Sequence, residues 1–261
     1  MTQIFAVTNQ KGGVGKTTTC INLAASLVAT KRKVLLVDMD PQGHATLGSG
    51  VDKKSLQHSL YDVLLAEVAA SAAVLKTDPA GYDLLPANVD LAGAEIALID
   101  QPQRERRLSQ ALASLEAQYD FILIDCPPSL NLLTLNALTA ARGVLVPVQC
   151  EFYALEGLAS LMETLERVAL SVNPGLQITG ILRTMYDPRN SLTKDVSAQL
   201  IAHFDQRVLG TVIPRNIRLA EAPSYGVPVL SYDPKSKGSL AYLALAGELL
   251  RKSAAAAPAV N

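Results

Sequence analysis

The chain has 261 residues, of which 49% are hydrophobic and 18% charged, a composition that excludes a disordered, charge-rich protein. Its 23 basic and 24 acidic residues give a net charge of -1, so overall charge does not indicate a nucleic-acid binder, and any DNA affinity must come from a local patch. This length suffices for one large core in a single α/β domain.

The first informative stretch joins an apolar run at residues 4–7 to a helical pattern that begins near Lys16, through a glycine-rich segment. The backbone N–H groups of such a loop and the positive end of the following helix suit phosphate oxygens. Lys16 is expected to contact the outer phosphates of a nucleotide, and Thr17 to bind a phosphate-associated Mg²⁺. The stretch therefore predicts a P-loop.

This loop departs from the ordinary pattern G-x-x-x-x-G-K-[ST], because Gln10 stands where a glycine is expected and a second lysine, Lys11, precedes a double glycine. A glycine turn with incidental lysines would be strongly cationic without a partner. The loop resembles the deviant Walker A motif of the ParA/MinD family of ATPases, which implies that Lys11 reaches across a dimer interface to the partner's nucleotide. The expected nucleotide contacts along the loop are Lys11, Gly12, Gly13, Val14, Gly15, Lys16, Thr17 and Thr18.

The next apolar run, residues 34–37, is expected to be a strand covered on both faces, and it ends in two aspartates, Asp38 and Asp40. Ligands of open α/β sheets bind beyond the carboxyl ends of the strands, so both carboxylates are expected beside the phosphate loop. Asp40 is predicted to orient or activate the attacking water, and Asp38 to lie closer to Mg²⁺ and its waters. A turn without function is the alternative.

Residues 51–80 are Ala-rich and predict helix, with Ser59 as an N-cap, and function is not readable there. A short strand is expected at 82–86 and a further helix near Leu91. The arginines at 104, 106 and 107 are interpreted as a solvated helix face.

Four apolar residues before Asp125 have the form of a Walker B strand. The two prolines at 127 and 128 are expected to end this strand. Asp125 is expected to hold the hydration shell of Mg²⁺ opposite Thr17; a helix cap is the alternative. Thr17, Asp38 and Asp125 are thus the predicted metal residues.

Further strands are expected at 143–148, 178–186 and near 211–214, and a last helix at about 239–251. The strand–helix alternation has no Pro/Gly/Ser linker, which predicts a single-domain, doubly wound α/β fold with a mostly parallel sheet. The expected ATPase domain is 1–253, followed by a disordered tail at 254–261.

The three cysteines, Cys20, Cys126 and Cys150, have no metal-binding spacing and are interpreted as buried thiols. No signal peptide and no run long enough to span a bilayer is recognised, so a cytoplasmic protein that does not bind membrane is expected.

Beyond the loop, segments 37–43, 124–129, 213–216 and 221–224 resemble the motif set of chromosomal ParA proteins, also called Soj, and the similarity covers nearly the whole chain. The resemblance implies an ATPase that uses ATP and Mg²⁺ and forms a homodimer around two ATP molecules. It also implies non-specific DNA binding by that dimer, nucleoid association in the ATP-bound state, and hydrolysis stimulated by a ParB-like centromere-binding partner.

By position, Pro214, Arg215 and Asn216 match the family segment that lines the adenine, and Arg189 and Arg218 match basic positions associated with DNA contact. Solvated surface charge is the alternative for these last two arginines. A histidine at position 44, where many relatives have asparagine, departs from the pattern and bears on hydrolysis rather than binding.

The sequence leaves three alternative functions open. A MinD-like ATPase would need a C-terminal amphipathic membrane helix, whereas residues 251–258 offer small residues and proline. A metal-cluster carrier would need positioned cysteines, for which Cys126 and Cys150 are poor candidates. A metabolic P-loop ligase or kinase is disfavoured by Lys11 and by the lack of a recognisable substrate motif.

Overall fold

The computed structural model describes residues 2–256, and it contains one eight-stranded sheet with helices on both faces. The strands are β1 (Gln3–Val7), β2 (Val34–Asp38), β3 (Leu75–Lys76), β4 (Asp83–Leu85), β5 (Phe121–Asp125), β6 (Gly143–Gln149), β7 (Gln177–Tyr186) and β8 (Val208–Pro214). The helices are α1 (Lys16–Ala29), α2 (His44–Gly48), α3 (Leu60–Leu64), α4 (Ala70–Ala73), α5 (Ala94–Ala97), α6 (Arg107–Ala113), α7 (Leu132–Ala140), α8 (Ala154–Ser171), α9 (Ser191–Phe204), α10 (Ile217–Glu221), α11 (Val229–Tyr232) and α12 (Lys237–Ala256).

The strand order is β3-β4-β2-β5-β1-β6-β7-β8, and every neighbouring pair is parallel except β3 with β4. Strand β1 lies inside the sheet between β5 and β6, and the chain winds outward from it in both directions. The prediction of a doubly wound, mostly parallel sheet is confirmed.

Two hydrophobic cores lie on opposite faces of this sheet, as the alternation along β1 shows. Ile4 and Ala6 pack into one core, while Phe5 and Val7 pack into the other together with α1 and α12. Side chains of the central strands are therefore buried on both faces, which explains why β1, β2 and β5 are uninterrupted apolar runs in the sequence.

The prediction of helix across residues 51–80 is wrong for most of that segment. Only α3 and α4 are helical there, and the antiparallel edge strand β3 follows them. Ala66 has φ 61°, a left-handed conformation that prevents α3 from continuing. Ser59 does cap α3, as expected, through a capping box with Asp62. Alanine-rich composition alone thus did not distinguish helix from loop.

The last helix, α12, continues to Ala256, so residues 254–256, which were expected to belong to the tail, are helical. The remainder of the expected tail, 257–261, lies outside the described residues. Within residues 2–256, none of the helices is both long enough and apolar enough to cross a membrane.

Candidate nucleotide and magnesium site

The site lies at the carboxyl ends of three adjacent central strands. In the register of the sheet, Asp125 at the end of β5 pairs with Val7 at the end of β1 and with Asp38 at the end of β2. The glycine loop follows Val7 directly. The topology therefore brings the loop and both aspartates to one edge of the sheet, as the sequence predicted.

The glycine loop is held in one conformation by its own backbone and by β7. Gly13 and Gly15 have φ values of 73° and 89°, a left-handed region in which a side chain would be strained. The Oγ1 of Thr184 donates a hydrogen bond to the carbonyl of Val14 at 2.8 Å. Helix α1 begins immediately after Gly15, so its N-terminal end faces the interior of the loop.

The two lysines of the loop occupy different environments. Lys16 is buried, and its Nζ donates to the carbonyl of Lys11 at 3.1 Å. Burial lowers the pKa of Lys16, while the nearby Asp125 acts in the opposite direction. Lys11 is exposed at the outer rim, where its Nζ lies 2.7 Å from Oε2 of Glu151. One lysine can therefore serve a phosphate in its own loop, and the other points outward.

Asp38 is fully buried and fixed by three donors. Its Oδ2 accepts from both the backbone N and the Oγ1 of Thr46, each at 2.7 Å, and its Oδ1 accepts from the backbone N of Asp40 at 3.2 Å. Burial raises the pKa of Asp38 to about 6, although these hydrogen bonds oppose the rise. The carboxylate is thus held in place beside Asp125.

Asp125 is also fully buried, and its carboxylate contacts one face of α1. The thiol of Cys20 donates to its Oδ1 at 3.6 Å, and the side chain of Thr17, one turn earlier on the helix, lies close enough to the same carboxylate to lower its pKa. Burial and the neighbouring Asp38 raise the pKa of Asp125 to about 8. Its Oδ2 has no hydrogen-bond partner among the described residues.

Two adjacent buried carboxylates, one with an unpartnered oxygen, form a donor set that fits a divalent cation. Mg²⁺ typically takes one or two carboxylates together with phosphate oxygens and several waters. No group of three or more His, Cys, Asp or Glu side chains able to hold a metal occurs in residues 2–256, and Mg²⁺ in a nucleotide site needs none. Thr17, Asp38 and Asp125 remain the residues that we propose would hold the ion.

Asp40 is less buried than Asp38 and lies two residues beyond it at the rim of the site. Its Oδ1 accepts from the backbone N of Gln42 at 2.9 Å. The carboxylate is therefore partly open to solvent. His44, the noted departure from the family pattern, is exposed and begins α2.

A largely apolar cavity of about 430 Å³ opens beside the glycine loop. Pro214, Arg215 and Asn216 line one side of it, and Gly15 and Thr18 line another. The remaining lining residues are Thr184, Met185, Ile213, Ile217, Leu219, Ala220 and Tyr242. A flat, mostly apolar ring with a few polar edges suits such a cavity, so the segment expected to contact adenine lies next to the phosphate loop.

The two arginines expected to contact DNA follow neighbouring parallel strands. Arg189 comes shortly after β7 and Arg218 shortly after β8, so both lie at the carboxyl edge of the sheet. Both are exposed, and both have acidic partners. Arg189 pairs with Asp187 at 2.8 Å, and Arg218 pairs with Glu221 at 2.8 Å and with Asp233 at 3.3 Å. These pairs partly cancel the positive charge of this face.

Several contacts in the site were not predicted from the sequence. Thr46 fixes Asp38, Thr184 fixes the loop, and Cys20 contacts Asp125. Cys20 could have been found, because it lies one helical turn after Thr17 and must share its face of α1. Thr184 and Glu151 lie far from the loop in sequence, and no local pattern marks them.

Comparison with known proteins assigns the family. A family model described as an AAA domain matches residues 2–178. The chromosome partitioning protein ParA of Caulobacter vibrioides is 52% identical over 252 residues, which are 96% of this chain and 94% of that protein. The sporulation initiation inhibitor protein Soj of Bacillus subtilis is 49% identical over 249 residues, 95% of this chain and 98% of Soj.

Among solved structures, cobyrinic acid a,c-diamide synthase from Mycobacterium smegmatis with bound ADP and magnesium superposes with a TM-score of 0.87 at 44% identity, covering 98% of this chain and 97% of that one. The same protein has been solved with an ATP analogue and magnesium. These ligands agree with the ATP and Mg²⁺ expected from the sequence. The identity to ParA and Soj across nearly the full length confirms the expected relationship: the chain belongs to the ParA/Soj family of chromosome-partitioning ATPases.

Proposed function

We propose that this protein is an ATP-dependent DNA-partitioning protein that binds ATP and Mg²⁺, forms a homodimer around two nucleotides, and binds DNA without sequence preference as that dimer. A ParB-like centromere-binding protein would stimulate hydrolysis and release the dimer from DNA. In this proposal the ATP-bound form is associated with the nucleoid and the released form is free in the cytoplasm.

The observation that carries the proposal is the different placement of the two lysines in one phosphate loop. Lys16 is buried and aimed into its own loop, so it suffices for the phosphates of its own subunit. Lys11 is exposed at the rim, and in this proposal the second subunit approaches on that side. A second, exposed lysine that its own phosphate loop does not require supports a site completed by a partner's nucleotide.

Each residue of the site would have a separate task in hydrolysis. Lys16 would bind the outer phosphates and Lys11 would neutralise charge on the nucleotide across the interface. Asp40 would orient the attacking water through its carboxylate. Thr17, Asp38 and Asp125 would hold Mg²⁺, which when bound neutralises phosphate charge. Because Thr46 and Cys20 hold the two buried carboxylates, little rearrangement of them is needed.

DNA binding would depend on the arginine face at the ends of β7 and β8. A monomer of net charge -1, with Arg189 and Arg218 each paired to an acid, should bind phosphates weakly. A dimer would present two copies of this arginine face to the same DNA molecule. The number of contacts between arginines and phosphates would then double. This is the physical reason for expecting the nucleotide to control DNA affinity.

The test is a DNA-binding titration with ATP, with ADP and without nucleotide, each at several salt concentrations. We expect tight, sequence-insensitive and salt-sensitive binding with ATP only. Equal binding in the three states, or no binding in any, would reject the proposal. Adding a ParB-like protein should shorten the lifetime of the ATP-dependent complex.

A metabolic synthase is the second candidate, favoured by the similarity to cobyrinic acid a,c-diamide synthase. It predicts ATP turnover that depends on a small-molecule carboxylic acid and is unaffected by DNA. A MinD-like function predicts ATP-dependent binding to lipid vesicles instead. The same purified protein can be assayed with DNA, with vesicles and with a corrinoid acid, and the three candidates give three different results.

A further inference from the structure

The proposed function leaves one contact unexplained, the ion pair between Lys11 and Glu151 of the same chain. The Nζ of Lys11 lies 2.7 Å from Oε2 of Glu151, although 140 positions separate the two residues in sequence. Glu151 lies two residues after the end of β6, in the segment before α8. Lys11 is therefore already engaged by an acid of its own subunit.

Both members of the pair are braced by further hydrogen bonds. Oε1 of Glu151 accepts from Nε2 of Gln149 at 2.5 Å. The backbone N of Lys11 donates to Oδ1 of Asn9 at 2.9 Å, and Nδ2 of Asn9 donates to the carbonyl of Pro147 in β6 at 2.8 Å. Asn9 links the start of the loop to β6 by these hydrogen bonds. The fold therefore positions Lys11 next to Glu151.

The pair is also connected to the phosphate site. Lys16 donates to the backbone carbonyl of Lys11, and a phosphate group would compete for the same ammonium. Charge-assisted hydrogen bonds to phosphate are stronger than those to a neutral carbonyl. Nucleotide binding therefore removes one restraint from Lys11, while the ion pair to Glu151 stays as the other.

We propose that Glu151 is a positioning residue that holds Lys11 within its own subunit, and that this ion pair must break in both subunits before each Lys11 can reach the partner's nucleotide. The inference rests on the proposed ATP-dependent dimer. Its consequence is that Glu151 opposes dimerisation and keeps the ATP-free protein monomeric.

The size of the effect follows from exposure. The two side chains are 43% and 48% exposed, so solvent screens their attraction and the pair is of the surface type. Such pairs shift an equilibrium by a factor of about 1.4 to 5. Since each dimer would break two of them, removing Glu151's charge should tighten the dimer by about 2- to 30-fold.

The experiment compares the wild type with Glu151→Gln, which keeps the shape of the side chain and removes its charge. The dimer dissociation constant is measured by sedimentation with a non-hydrolysable ATP analogue, at low and high salt. We expect a tighter dimer in the variant and a smaller difference at high salt. The matched control is Glu156→Gln, an exposed glutamate of α8 for which the described part of the chain shows no ion pair, and its dimer should be unchanged.

An unchanged or weaker dimer in Glu151→Gln, with a wild type that dimerises normally, would overturn the inference and leave the proposed function standing. A wild type that does not dimerise with the analogue would overturn both. A second measurement needs no dimer: the rate at which an amine-acylating reagent labels Lys11 in the ATP-free protein, with exposed Lys31 as the internal reference. Faster labelling of Lys11 in Glu151→Gln is expected, and equal rates would overturn the inference.

Discussion

The carboxyl edge of the sheet holds two regions that are built very differently. At the central strands β1, β2 and β5, the carboxylates of Asp38 and Asp125 are fully buried and each has fixed donors. At the outer strands β7 and β8, Arg189 and Arg218 are exposed, and the structure gives each a partly buried acidic partner. The first region is preorganised within one subunit, whereas the second has little net charge to offer alone.

Single substitutions should therefore have larger effects in the buried region than in the exposed one. In the buried region a removed charge leaves its neighbours desolvated and unpaired, which is costly. In the exposed region water and salt compensate most of a lost contact, so the effect of one residue is small and becomes visible only when the dimer doubles it.

The largest effect is expected for Lys16→Ala, because Lys16 is the buried cation of the phosphate loop. ATP affinity should fall by about a hundredfold or more, since removing one partner of a buried charged contact is strongly destabilising. Isothermal titration calorimetry measures this, and circular dichroism checks that the fold survives. Lys54→Ala, which removes an exposed lysine outside the loop segment, is the control. Unchanged ATP affinity in Lys16→Ala would show that the phosphate site is misassigned.

The second-largest effect is expected for Asp40→Ala, on the rate of ATP hydrolysis. Asp40→Ala should bind ATP and dimerise but hydrolyse about a hundredfold more slowly, because a carboxylate that positions the water is lost. The DNA-bound dimer should then persist after a ParB-like partner is added. Turnover is measured by phosphate release. Near-normal stimulated turnover would remove Asp40 from the mechanism.

Dimerisation can be separated from nucleotide binding at the rim of the loop. A Cβ added to Gly12 would meet no atom within 4 Å in its own chain, so Gly12→Val should leave the monomer intact. We expect it to weaken the ATP-dependent dimer about tenfold or more, because the side chain would stand where the partner approaches. Lys11→Ala should also lose dimers while retaining ATP. Gly157→Val, at an equally open position, is the control, and light scattering is the measurement. Normal dimers in both loop variants would contradict an interface at Lys11.

How much could be predicted from the sequence differs between the same two regions. The register of parallel strands brings Asp38 and Asp125 together whenever their strands are adjacent, so three uninterrupted apolar runs sufficed to predict that edge. The residues that hold these groups, such as Thr46, come from loops whose paths no periodicity reveals. The pairing of Lys11 with Glu151 is of this second kind.

The prediction of helix over residues 51–80 was wrong for a related reason. Its alanines have high helix propensity, but helices in proteins are stabilised mainly by a continuous apolar face, and here the chain turns at Ala66 and forms the edge strand β3 instead. At β7 and β8 the strands themselves are predictable from the sequence, but the acidic partners of Arg189 and Arg218 are not. Surface pairing depends on side-chain positions that sequence spacing leaves open.

The smallest effect, and the one that separates a DNA-partitioning ATPase from other relatives, is expected at the arginine face. Arg189→Glu and Arg218→Glu should each lower the DNA affinity of the ATP dimer about tenfold while leaving ATP-dependent dimerisation in place, since neither residue lines the nucleotide cavity. Each variant removes one phosphate contact per subunit, so the log–log salt slope should become shallower by about 1.8.

The control for this face is Arg32→Glu, which reverses an exposed arginine that also has an acidic partner, Asp120, but precedes β2 and so lies at the opposite edge of the sheet. Its DNA affinity should stay near that of the wild type. Net charge changes equally in all three variants, so a general loss of attraction would weaken them alike. A loss confined to Arg189→Glu and Arg218→Glu assigns the DNA contact to the ends of β7 and β8, because only there does the added charge meet phosphate. Equal losses in all three variants would instead mean that DNA affinity depends only on the net charge of the protein. The ends of β7 and β8 would then not be the DNA-binding face.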